Sequence, residues 1–452
     1  MSFHNRTSEI AVLSQAFARK RPQLIVLYGR RRCGKSTLLQ HIIQDTDCYC
    51  LAVQGEASLQ RALLSQTIAQ KFPGFDRGVY GNWFDFFRAL AERGGERYTL
   101  VLDEFPYLAK SDSSLPSILQ ALLENRSNLP FHLVLCGSSQ QMMEGTILSA
   151  TAPLYGRADE ILKITPLLAG YFQDHFPALK AESLVEEYAV WGGVPRYWEL
   201  RDRYDDLKQA ISELLLQPIG LLYDEPRRLL LDDLTSLVQP LSLLTLVASG
   251  VNRLSELGGR MEKPSAELSR PLNRLIELGY IEKLRPFGSP IRGNKQTLYR
   301  VSDPFMRFFH RYIVPNAAKI EQGRREEVWS EISNSLNQFS AQVWESLTRS
   351  AIARGLVDKS VAACSSWWGV TKTGRKVELD GVSKTSDGKT LILCECKWSD
   401  ISRPRDIHDH LKEVAVELPF YKGQDIVTIV ATKTGGGSIY EPGATEVLDA
   451  LR

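Results

Sequence analysis

Short, almost wholly apolar runs alternate with helix-patterned segments through about residue 165 of the chain. The runs at 24–28, 49–53, 98–102, 132–136 and 161–164 are strand candidates. Such alternation predicts an α/β fold, a parallel sheet covered by helices. Residues 169–235 are predicted mostly helical, with apolar periodicity over 184–191 and 207–216. Three more helices follow at 241–249, 253–257 and 265–278, then a β-hairpin from 282–287 and 296–301. Beyond residue 325 a long amphipathic helix precedes strands near 378–382, 390–397 and 425–431. The predicted domains are 1–168, 169–235, 236–320 and 325–452.

The first run enters a complete G-x-x-x-x-G-K-[ST] loop: Gly29, Arg30, Arg31, Arg32, Cys33, Gly34, Lys35 and Ser36, followed by Thr37. Its glycines allow consecutive backbone N–H groups to turn inward around a phosphate, and the following helix N-terminus favours the anion. Lys35 is expected to reach the β- and γ-phosphates of ATP, and the Ser36 hydroxyl to hold Mg²⁺. The third run ends in Asp103-Glu104. Asp103 is predicted to bind Mg²⁺ directly or through water, and Glu104 to orient and activate the attacking water. The fourth run ends in Gly137-Ser138-Ser139-Gln140. Ser138 either touches the γ-phosphate, or one of the two serines caps the next helix. Arg157, in a loop after Pro153-Leu154-Tyr155-Gly156, is read either as a finger on the nucleotide of a neighbouring subunit in a homo-oligomer or as a surface arginine.

Composition adds limits. Hydrophobic residues make up 43% and charged residues 24% of the 452, ordinary for a globular chain. The net charge of +2 leaves any basic surface to local asymmetry. No apolar run approaches a membrane span, no signal-peptide core precedes the first strand, and the seven scattered cysteines suit a reducing compartment. A cytoplasmic protein is therefore expected.

The segments Phe3-His-Asn5-Arg6, the arginine-filled loop, Leu102-Asp-Glu-Phe-Pro-Tyr, Pro153-Leu-Tyr-Gly-Arg and Trp191-Gly-Gly-Val-Pro-Arg196 resemble those of the archaeal-type P-loop ATPases, of the AAA+/STAND kind. That resemblance covers about the first 235 residues. It implies a RecA-like ASCE core, a helical lid, an adenine contact from Asn5 and Arg6, and Gly193-Val194-Pro195 beside the nucleotide. Arg196 is a sensor candidate by position, or a salt-bridge partner on the lid surface.

The three helices and hairpin of 236–320 read as a winged helix-turn-helix, with 265–278 as its recognition helix and Pro271 expected to restrict or kink it. Residues 251–320 hold 13 Lys/Arg against 6 Asp/Glu, a balance of +7 that suits DNA phosphates, although winged helices also serve as protein spacers. At the C-terminal end, strand alternation can bring Asp380, Glu395 and Lys397 to one point, with Glu345 on the upstream helix. The carboxylates would bind Mg²⁺ and the lysine would position water for phosphodiester attack. The order Glu345, Asp380, Glu395-x-Lys397 resembles the PD-(D/E)XK nucleases and implies a restriction-endonuclease-like fold. A Lys397–Glu395 salt bridge in an inert fold is the competing reading. Together these expectations describe a Mg²⁺-dependent ATPase acting on DNA; the alternative is a nucleotide-dependent switch or transcriptional regulator with an inactive nuclease-like fold.

Overall fold

The computed structural model describes residues 5–452 other than 94, 235 and 291–295. It contains two compact units, Met1–Pro166 with Leu229–Thr235, and Leu167–Arg228 with Ser236–Arg452.

In the first unit the apolar runs become β1 (Leu24–Tyr28), β2 (Cys48–Leu51), β3 (Tyr98–Asp103), β4 (Phe131–Gly137) and β5 (Glu160–Lys163). They form one sheet in the order β2-β3-β4-β1-β5, and every pair is parallel. β4 therefore separates the loop-bearing β1 from the acid-bearing β3. β3 and β4 are buried along their whole length, whereas β2 and β5 are partly exposed. Leu100, Leu102, Leu133 and Leu135 pack with Trp83, Phe86 and Phe87 in one core. Those aromatic residues come from the helix Trp83–Ala91, where the Asn82 side chain accepts the Asp85 backbone N–H as an N-cap.

The second unit opens with the helices Ala181–Trp191, Pro195–Arg201 and Leu207–Leu214. A buried Arg201–Glu187 pair at 2.6 Å, with the Trp191 indole N–H on the same carboxylate at 2.8 Å, ties the first two together. Helices Val238–Ala248, Leu254–Met261 and Ser265–Glu277 follow, then the antiparallel strands β6 (Ile281–Leu284) and β7 (Leu298–Val301). Pro271 does not end its helix. Leu268, Leu272 and Leu275 bury one face across it and outweigh the lost backbone hydrogen bond. The helix Arg325–Ala353 leads to a sheet of β8 (Val361–Val370), β9 (Lys376–Thr385), β10 (Thr390–Cys396) and β11 (Asp425–Ala431), in the order β11-β10-β9-β8. β8 and β9 pair antiparallel, as do β9 and β10, whereas β10 and β11 are parallel. The parallel pair needs a crossover, and the helix Pro404–Glu417 supplies it by burying Leu411, Val414 and Ala415 on the sheet.

His310 gives this unit a pH signature. Its ring is 1% exposed, Nδ1 lies 2.9 Å from the Thr245 hydroxyl, and burial lowers its pKa from 6.5 to about 4. The unfolded chain takes up a proton near pH 6.5 and the folded one does not, so stability is lost as pH falls from 6.5 towards 4. The loss is at most about 3 kcal/mol. His310→Phe should flatten this part of the profile, which thermal melts across that interval would measure. An unchanged acid slope would remove His310 as its cause.

Candidate functional site

β1 delivers the chain into a loop that only glycine can start. Gly29 has φ +145°, and a Cβ there would lie 2.2 Å from the Ile164 carbonyl oxygen. Arg32 and Gly34 are also left-handed, at φ +65° and +85°, and the helix Lys35–Ile42 begins directly after. Lys35 is buried, and its ammonium donates to the carbonyl oxygens of Gly29 at 2.8 Å and Arg30 at 3.0 Å. Arg30 is buried too, and Thr37 lies in the first turn of the helix. Arg31 pairs with Asp232 at 2.8 Å and donates to the Tyr107 hydroxyl at 2.8 Å.

The N-terminal segment is fastened to this loop. Arg6, at φ +103° and 6% exposed, donates to the carbonyl oxygens of Cys33 at 3.0 Å and Thr165 at 2.7 Å, and pairs with Glu9 at 2.9 Å. Asn5 Oδ1 accepts the Thr7 backbone N–H at 3.2 Å and its hydroxyl at 3.0 Å.

Asp103 closes the other side. It is 1% exposed, and its Oδ2 accepts the Ser36 hydroxyl at 2.6 Å and the Tyr49 hydroxyl. Burial and that bond to Asp103 raise the Tyr49 pKa, so the phenol stays protonated and donates. Ser36 and Asp103 are hard oxygen donors already in contact, a donor set that fits Mg²⁺ beside a phosphate loop. Glu104 is held at φ +55°, where its Oε1 accepts the Ser138 hydroxyl at 3.0 Å.

The two serines after β4 make different contacts. Ser139 caps the helix Gln140–Met143, accepting the Met142 backbone N–H, and donates to the Asp232 carbonyl at 3.0 Å. Asp233 accepts the Gln140 N–H at 2.9 Å. Ser138 is left on Glu104.

Arg157 sits half-buried in its turn, 3.3 Å from Glu124. Pro195 occupies the first turn of Pro195–Arg201 in the second unit. It follows Gly193, where a Cβ would lie 2.0 Å from the Leu167 carbonyl oxygen. Arg196 pairs with Glu199 at 2.8 Å.

The C-terminal carboxylates gather where β9 and β10 pair, with Gly381 opposite Cys394 and Val382 opposite Leu393. Asp380 Oδ2 accepts the Cys396 backbone N–H at 2.8 Å. Lys397 pairs with Glu395 at 2.7 Å. From the long helix, Arg349 donates to the Asp380 carbonyl oxygen at 2.7 Å and stands 3.7 Å from Glu345. Burial, then the neighbouring Glu345 and Glu395, push the Asp380 pKa up from 3.8 to about 7. Burial also raises Glu345, against the pull of Arg349 and Arg300, while the bond to Glu395 raises Lys397. The four predicted residues thus share one electrostatic neighbourhood. Among the described residues, however, no three His, Cys, Asp or Glu side chains are arranged to hold a metal ion.

Tyr49, Asp232, Asp233 and Arg349 join these clusters from outside the motifs legible in the sequence, and Tyr107 from within one. Of the first four, Arg349 alone had a local signal, its i,i+4 spacing from Glu345.

Residues 3–200 match a family described as an ATPase domain predominantly from Archaea, and residues 309–408 match one described as Archaea bacterial proteins of unknown function. An uncharacterized protein of Methanocaldococcus jannaschii is 28% identical over 422 residues, 90% of this chain and 89% of that protein. The Walker-type ATPase of Pyrococcus abyssi superposes with a TM-score of 0.53 at 20% identity, over 68% of this chain and 96% of that one. This likeness is one of fold, and it agrees with a parallel α/β P-loop ATPase core in the first unit. No helix among the described residues is long and apolar enough to cross a membrane.

Proposed function

We propose that the chain is a Mg²⁺-dependent ATPase whose nucleotide state governs a DNA-binding winged helix and a PD-(D/E)XK-like domain acting on DNA. One observation carries the ATPase part: Ser36 contacts Asp103 while Ser138 contacts Glu104, so both halves of a hydrolytic site meet at the end of the sheet. Lys35 and the loop from Gly29 to Thr37 would cradle the phosphates. Ser36 and Asp103 would hold Mg²⁺, which supplies charge neutralisation on the phosphoryl oxygens when bound. Glu104 would activate water, with Ser138 reporting the γ-phosphate state through its hydroxyl. Asn5 and Arg6 would flank the adenine, and Pro195 would belong to the lid. Arg157 would complete a neighbouring subunit's site in a homo-oligomer.

The DNA part rests on the helix Ser265–Glu277 and the β6–β7 hairpin, within a segment whose charge balance is +7. Arg270 is exposed on that helix, and Arg274 pairs with Glu277 at 3.2 Å. Duplex binding should fall steeply with salt, because phosphate contacts release counterions. Arg270→Glu with Arg274→Glu should weaken it by about tenfold or more across sequences. Fluorescence anisotropy with ATP, ADP and no nucleotide tests both claims at once. Affinity insensitive to nucleotide would remove the coupling. Full affinity in the double variant would make the helix a protein interface.

A second reading has its own support. The Lys397–Glu395 pair and the lack of a closed metal group among the described residues favour a nucleotide-dependent switch or regulator with an inactive nuclease-like fold.

A further inference from the structure

A cavity of about 600 Å³ lies within the second unit, between the β6–β7 hairpin, the helices Pro304–Phe308 and Arg325–Ala353, and β8. Lys283, Arg285, Arg300, Arg307 and Arg349 all line it, and Glu282 is the sole carboxylate among its described lining residues. Three of these cations are already engaged, Lys283 by donating to the Asn273 side-chain oxygen at 2.9 Å. Arg300 pairs with Glu282 at 2.9 Å and donates to the Ser346 hydroxyl at 2.8 Å. Arg349 is held by the Asp380 carbonyl at 2.7 Å and lies near Glu345.

Arg307 is different. It is 6% exposed, its Nε has no hydrogen-bond partner, and among the described residues no carboxylate lies within ion-pair distance. Its guanidinium stacks 4.9 Å over the Phe339 ring, a weak substitute for an anion. A buried cation with no direct ion pair is costly. Burial, then the nearby Arg300, lower its pKa to about 9 against the pull of Glu282 and Glu345, yet the group stays charged at neutral pH. Arg285, which follows β6, also lines the cavity and has no ion pair with a carboxylate among the described residues. Arginine forks match phosphate oxygens in pairs. The rest of the lining includes Leu284, Val343 and Leu347, an apolar wall for a sugar or base.

We propose that this cavity binds the phosphate of a nucleotide, with Arg307 as the central donor and Arg285 closing over it. The volume accommodates one or two nucleotide units, free or at the end of a strand. The proposal stands apart from the P-loop and from either reading of the Asp380 cluster.

The test uses full-length protein carrying Lys35→Ala, so that P-loop binding does not mask the second site. Isothermal calorimetry with pyrophosphate, AMP and the 5′-phosphorylated dithymidine dinucleotide should detect binding at millimolar ligand or below. Tighter AMP than dinucleotide identifies a free nucleotide as the source, and the reverse order a strand. Adding Arg307→Met should weaken the preferred ligand by at least about tenfold. It should also raise the melting temperature without ligand, since it removes a buried charge that has no direct ion pair. Arg285→Ala, on the partly exposed hairpin, supplies a second variant and should weaken binding several-fold. Failure of all three probes to bind, or unchanged affinity in either arginine variant, overturns the proposal. So does a lower melting temperature in Arg307→Met with Arg285→Ala at full affinity.

Discussion

Glu104→Gln is expected to bind ATP with parental affinity and to lose hydrolysis by about a hundredfold or more. The side chain is fixed where such a loss would be specific. Glu104 occupies a left-handed backbone position at φ +55°, and Ser138 donates to its Oε1 at 3.0 Å. A glutamine oxygen accepts the same hydroxyl, so the geometry is kept while the base is lost. Lys35→Ala should do the opposite. It removes the ammonium that now bridges the carbonyl oxygens of Gly29 and Arg30, and with it the charge that phosphates would claim. Loss of a charge-assisted bond predicts at least about a tenfold fall in ATP affinity. Equilibrium dialysis and phosphate release, run side by side, separate the two effects. Parental turnover in Glu104→Gln would displace Glu104 from the role of base. Parental ATP affinity in Lys35→Ala would displace the loop itself.

The residues that a sequence reader finds here are those whose chemistry is contiguous. Gly29 to Thr37 and Asp103-Glu104 each lie within one strand–turn segment, so spacing alone reveals them. Asp232 and Asp233 are invisible that way. They follow a helix more than a hundred residues downstream, and only the return of Leu229–Thr235 to the first unit sets Asp232 on Arg31 and Asp233 on the helix after β4. Tyr49 resembles any strand aromatic until the parallel pairing of β2 with β3 sets Leu51 beside Asp103. β8 has no clean apolar alternation in its sequence, and it is a bulged antiparallel strand with register shifts between Val361 and Cys364 and between Ser365 and Trp367. The Arg285–Arg307 cavity is assembled from a hairpin, two helices and a strand, and no local pattern marks it.

If Asp380, Glu395 and Lys397 form a working metal site, Asp380→Ala and Lys397→Ala should each abolish Mg²⁺-dependent DNA cleavage, by about a thousandfold or more. ATP hydrolysis should stay near parental, because the two sets of residues belong to different units. The inert reading predicts a different and small effect. The Lys397 side chain is 46% exposed and that of Glu395 23%, so their 2.7 Å pair is a largely solvated one. Such a pair contributes at most about 1 kcal/mol. Lys397→Ala would then lower the melting temperature only slightly, and Lys397→Met with Glu395→Leu would recover that loss. Asp380→Ala would lower stability by stranding the Cys396 backbone N–H rather than by loss of charge, since a carboxyl held up at about 7 by burial and by Glu345 gives the fold no strong ionic anchor. Calorimetric titration of Mn²⁺ into the full chain, with ATP-site metal binding removed by Asp103→Ala, discriminates before any cleavage assay is run. Binding that disappears in Asp380→Ala would establish that these carboxylates can close on a cation, although the side chains as they stand do not form such a group. No binding at millimolar Mn²⁺ would leave the Lys397–Glu395 pair as the whole of the site's chemistry, and the switch or regulator as the function.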